Sequence, residues 1–177
     1  LGRNNGSFMP HRSHMGITDV SALGGVHTLD LSCCNYITDV SMLGGVHTLD
    51  LCFCHNITDV SALGGVNTLT LYGCNKIYDI SSLANCKIVT VRNCNNISLI
   101  GDMRNVSYLG IDLYAKSFKP RDQDFLPCNN HVQIDGTSNQ VDFHHRFFKD
   151  VKSLTIKNFR NIDISQLKCE RIYFVNS

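Results

Sequence analysis

Three consecutive stretches of this chain are near copies of one another: ITDVSALGGVHTLDLSCCNY from Ile17, ITDVSMLGGVHTLDLCFCHN from Ile37 and ITDVSALGGVNTLTLYGCNK from Ile57. The first two agree at 15 of 20 positions, and the units from Ile77 and Ile97 drift while keeping the same apolar positions. A 20-residue unit is too small to enclose an interior. It can bury its apolar face only by stacking on its neighbours, so the period itself dictates a solenoid with one continuous core.

Within a unit the apolar positions are Val26, Leu29, Leu31, Cys34, Ile37, Val40 and Leu43, with Val46 opening the next. The L-x-L step has period two and reads as a short strand with both leucines on one face. The other positions recur every third residue, which suits a chain that coils once per repeat through 3₁₀-like or extended turns. An α-helix would lose that spacing, and the Gly24-Gly25 pair and its copies would weaken one. The strands predicted are Leu29–Leu31, Leu49–Leu51, Leu69–Leu71, Val89–Val91 and Leu109–Ile111, then, as the period loosens, Val132–Ile134, Leu154–Ile156 and Ile172–Phe174. Eight parallel strands about 4.8 Å apart make a sheet roughly 35 Å long. The expected division is an N-terminal tail over 1–16, polar, patternless and open to a vector origin, then a repeat domain over 17–177, regular to 112 and irregular from 113.

The totals exclude several classes. With 43% apolar and 18% charged residues the chain is not expected to be disordered. Sixteen Lys and Arg against 15 Asp and Glu give no basic footprint for nucleic acid. No apolar run approaches a bilayer span, so no membrane partner is expected. Nine cysteines, an odd number falling mostly within the repeat pattern, favour a reducing compartment, cytoplasmic or nuclear.

L-x-L-x-x-C/N followed by N-x-I-T-D-V-S-x-L resembles the leucine-rich-repeat superfamily, most closely its short internalin and SDS22-like classes. The resemblance is strong from Ile17 to about Asp112 and degenerate beyond. It implies a curved solenoid with a parallel sheet on the concave face, 3₁₀ or extended turns with few or no α-helices on the convex face, and a binding scaffold rather than an enzyme. Two features depart from the pattern: the unit is 20 rather than 22 residues, and the strand-exit position, usually Asn, holds Cys34, Cys54, Cys74 and Cys94.

Those four thiols invite a metal reading, but a column along a solenoid spaces its ligands out instead of converging them. Buried apolar packing is the expectation. His27 and His47 repeat because the unit repeats, and the third copy is Asn67, so no role there needs an imidazole. Asp19, Asp39, Asp59 and Asp79 precede V/I-S-x-L and read as caps for the free N–H groups opening each outer turn. One Asp per turn is too few for calcium. No nucleophile motif, phosphate loop or carboxylate pair appears, so no catalytic residue, metal or cofactor is assigned.

The residues expected to face out of the sheet are Thr28, Asp30, Thr48, Asp50, Thr70, Tyr72, Thr90, Arg92, Tyr108 and Asp112. They are the expected binding surface for a protein or peptide, with Tyr72, Arg92 and Tyr108 foremost, and the segment Lys116–Arg121 could overhang it. The alternatives are a structural spacer or surface or virion component with no specific ligand, and a regulator or degraded enzyme in the C-terminal third. No strand motif precedes Ile17, so the ends are expected to be covered by a partner or by self-association.

Overall fold

The computed structural model describes residues 7–8, 16–111, 131–135, 151–157, 165 and 169–175. Among the described residues nine strands form one sheet in strict chain order: β1 (Ser7–Phe8), β2 (Thr28–Asp30), β3 (Thr48–Asp50), β4 (Thr68–Tyr72), β5 (Ile88–Arg92), β6 (Tyr108–Ile111), β7 (His131–Asp135), β8 (Ser153–Lys157) and β9 (Arg171–Val175). Every neighbouring pair is parallel. All eight expected strands are present, and β1 is a ninth. No L-x-L motif precedes Ile17, yet a short strand without it does: Ser7 and Phe8 pair with Thr28 and Leu29. Two residues are enough to extend a backbone ladder but too few to show a period of two.

On the side opposite the sheet run short 3₁₀ turns at Ser21–Leu23, Ser41–Gly45, Ser61–Gly65 and Ser81–Asn85. The carboxylates that begin them cap as expected, each Oδ1 accepting the N–H two residues on, from Asp19 to Ser21 at 2.9 Å and from Asp39, Asp59 and Asp79 to Ser41, Ser61 and Ser81 at 2.8 Å. Most of the paired glycines are there because neighbouring turns nearly touch, Gly25 being the exception. A Cβ at Gly44 would lie 2.4 Å from the Ala62 carbonyl oxygen, and one at Gly64 2.6 Å from that of Ser82. Where the fourth unit has Ala84 instead, the following unit forms no 3₁₀ turn.

Between sheet and turns lies the core, with Leu29, Leu31, Cys34, Ile37, Val40, Leu43 and Val46 and their copies buried from repeat to repeat. It continues through Met103, Leu109 and Ile111 to Val151, Leu154 and Ile156. The cysteine column packs there as expected, fully buried at 34, 54, 74 and 94. It also links neighbouring repeats: Cys54 and Cys74 each donate S–H to a carbonyl of the preceding repeat, Leu31 and Leu51, both at 3.1 Å. Cys86 does the same to Leu63 at 3.4 Å. Burial pushes the Cys54 thiol up to about 12 and Cys86 to about 11, so neither is a thiolate at neutral pH.

Candidate binding surface on the sheet

The exposed face of the sheet carries three rows, because residues two apart share a face and the strands run in register. The first row is Thr28, Thr48, Thr68, Ile88 and Tyr108; the second is Asp30, Asp50, Thr70, Thr90 and Gly110. The third continues past the shorter strands as Ser32 and Cys52 and includes the Tyr72–Arg92 pair. Nine of the ten sheet-face residues expected from sequence stand in these rows, and Asp112 lies outside the described residues, as does 116–121.

The three residues expected to be foremost do not form one cluster. Tyr72 and Arg92 are cross-strand neighbours, but Tyr108 is in register with Ile88, at the opposite end of the strands. Four residues of extended chain, about 13 Å, separate the two positions along the strand. The Tyr108 ring lies back over its own strand, since a Cβ at Gly110 would be 3.3 Å from both its Cε1 and its Oη. The three residues thus form a pair and an outlier.

Asp30 and Asp50 each hold their carboxylate by a local bond: Oδ1 accepts the backbone N–H of Ser32 and of Cys52, both at 2.8 Å. The Ser32 hydroxyl also donates to Asp30. Fixed this way, the two acids stand one strand apart on the face. Cys52 beside them is half-buried, and that burial with the adjacent Asp50 pushes its thiol well above the ordinary range.

Sequence reading missed Phe53. The strands leave the sheet through tight turns in which Cys34 donates to Leu31 and Cys54 to Leu51, at 3.1 and 3.2 Å. The third residue of each turn is left-handed: Cys33 (φ 65°), Phe53 (φ 58°), Gly73 (φ 71°) and Asn93 (φ 51°) form a column. Gly and Asn suit that position, whereas a Cβ there costs about 1–2 kcal/mol. Phe53 accepts that strain and is also exposed. Its ring meets Tyr72 edge to face with centroids 4.9 Å apart and His55 at 6.0 Å. Gly73 makes the room, because a Cβ there would sit 2.9 Å from Phe53 Cδ1. The Gly73 and Asn93 identities in this column were the available signal that the column turns left-handed.

His27 and His47 are stacked, centroids 4.5 Å apart and planes within 11°. Each Nδ1 lies 3.2–3.3 Å from the hydroxyl of the next threonine, and Asn67 donates to Thr68 at 3.4 Å in the same way. The imidazoles therefore pack on one another at the mouth of the rows, and the amide reproduces the bond without the ring.

A parallel sheet in chain order, a 3₁₀ turn opposite it in each of the first four 20-residue units, and a leucine-lined core between them define a leucine-rich-repeat solenoid. The crystal structure of internalin C2 from Listeria monocytogenes is similar, with a TM-score of 0.55 across 93% of this chain and 78% of that one at 19% sequence identity. No family model and no curated protein matches the sequence.

Proposed function

We propose that this chain is a non-enzymatic interaction scaffold whose sheet face binds a protein or peptide partner in a reducing, cytoplasmic setting. The observation that carries this reading is the cluster where the strands leave the sheet: the large exposed side chains Phe53 and Tyr72 beside Arg92, aromatic and guanidinium groups of the kind enriched at interfaces, at positions whose packing does not require them. The core and the ladder would be complete with small polar residues there, as at Ser32.

The test is affinity capture from the native host with the 177-residue chain and three variants. Tyr72→Ala/Arg92→Ala is expected to lose the captured partner, with Tyr108→Ala alone having a smaller effect, and melting little changed. Thr38→Ala/Met42→Ala/Thr58→Ala, on the opposite side, is expected to retain it. The reverse pattern would overturn the assignment. The constancy of Thr28, Thr48 and Thr68 favours a second reading as a spacer, which predicts no capture sensitive to either set. Tyr173, Phe174 and Val175 are exposed on β9, and self-association through that strand would appear as a concentration-dependent mass in sedimentation.

A further inference from the structure

We propose that Asp50, Phe53 and Tyr72, with Asp30 alongside, form a recognition site for a basic side chain, Lys or Arg, presented by a protein or peptide lying along the sheet; this rests on the sheet-face reading above. Charge is the first support. Residues 17–100 hold six Asp and three Lys or Arg. On the exposed face of β2, β3 and β4 the only charged residues are Asp30 and Asp50. Each is held in place through its Oδ1, which accepts the Ser32 or Cys52 N–H. Two like charges fixed one strand apart, with no cation on their strands, favour a positive ligand and repel a negative one.

Geometry is the second support. Asp50 is in register with Thr70, and Tyr72 lies two residues further on the same face, so Asp50 and Tyr72 are diagonal neighbours within reach of one long side chain. Phe53 follows the same strand as Asp50 and stands edge to face with Tyr72. Aromatic faces attract cations, and the methylene stem of Lys or Arg covers an exposed ring while its head reaches a carboxylate. A purely apolar ligand would desolvate both acids without compensation. Arg92 stands two strands from Asp50, across Tyr72, and bounds the anionic zone. The left-handed Phe53 adds to this: the fold would accept Gly there, as it does at 73, yet the position carries an exposed ring.

The experiment is an NMR titration of the full 177-residue chain with acetylated, amidated pentapeptides of glycine and serine carrying a central Lys, Arg, Glu or norleucine. Shift changes centred on residues 50–53 and 72 are expected with the Lys and Arg peptides in the millimolar range, weakened by high salt, and absent with Glu and norleucine. Asp50→Asn and Phe53→Gly should each weaken the Lys peptide about fivefold or more, while Asp39→Asn, on the other side of the solenoid, should not. Equal response to Glu or norleucine, changes mapping elsewhere, or no response to Lys and Arg would overturn the proposal. A partner lost on Arg92→Ala but indifferent to Asp50→Asn and Phe53→Gly would sink this site and leave the sheet-face reading standing.

Discussion

Repeats one to five and the strands beyond them share one sheet but differ in the spacing from strand to strand. From Thr28 the register advances by exact repeats, Thr28 to Thr48, Thr68, Ile88 and Tyr108. Beyond β6 the partners are His131, Ser153 and Arg171, steps of 23, 22 and 18 residues. The ladder continues parallel through both regions. What a solenoid must conserve is therefore the strand and its two or three inward residues, whereas the length of chain that returns to the next strand is free. The regular region fixes that return with a capped 3₁₀ turn and close-packed glycines, and burial there reaches every inward position from Leu29 on. At β9, by contrast, Ile172 is half-buried and Phe174, in register with the buried Ile156, is exposed.

The sharpest way to break this contrast is by cavity. Leu69→Ala, in the fully buried middle of the array, is expected to cost about 2–5 kcal/mol in urea unfolding. Ile172→Ala should cost about 1 kcal/mol or less, and equal losses would mean that the two regions are equally packed. Next comes the spacing of the outer turns. Gly44→Ala pushes a methyl to 2.4 Å from a carbonyl oxygen and should cost about 1–3 kcal/mol, with Gly25→Ala, which meets nothing within 4 Å, near neutral. If both are neutral, the turns are looser than the contact implies. A smaller effect is expected in the cysteine column: Cys54→Ser keeps a donor for the Leu31 carbonyl but exchanges a soft apolar atom for a hydroxyl, for about 1 kcal/mol. In the folded chain, thiol reagents should label exposed Cys33 quickly and spare Cys54, Cys74, Cys86 and Cys94; uniform labelling would contradict their burial.

Much of this was readable beforehand because repetition multiplies weak signals. Leu29 alone is a leucine; Leu29, Leu49 and Leu69 at one interval are a buried row. The same logic located the caps, whose Asp-x-Ser geometry is local and needs no tertiary information. It failed where a feature is not repeated or depends on what stands across a strand. β1 has no repeat signature, and whether Tyr108 joins Tyr72 and Arg92 depends on which of two strand ends each occupies. Phe53 was invisible as a site residue because its column looked like ordinary variation among Cys, Phe, Gly and Asn, although the last two are the residues that tolerate a left-handed backbone.

The mildest prediction concerns acid. Backbone N–H groups of the following serines hold the carboxyls of Asp19, Asp39 and Asp59 below their ordinary value of 3.8. A carboxyl whose folded value is depressed adds stability above its unfolded value, and that stability is lost as pH falls through the folded one. The melting temperature should therefore decline as pH drops below about 4, with Asp39→Ala/Asp59→Ala lowering it at neutral pH and flattening the acid decline. An unchanged slope in that variant would show that other groups govern acid stability.

The close fit of Gly44 against Ala62 and of Gly64 against Ser82 is one joint used twice, as is the pairing of Thr48 with Thr68 and of Thr28 with Thr48. The upper surface of each regular unit is thus already shaped for the lower surface of any other. An in-frame duplication of 20 codons inserts a piece that fits on both sides at once, extending the molecule by one strand spacing and each polar row by one residue. Length in this part of the protein behaves as a whole number, able to change by single increments in evolution without a new interface having to be invented.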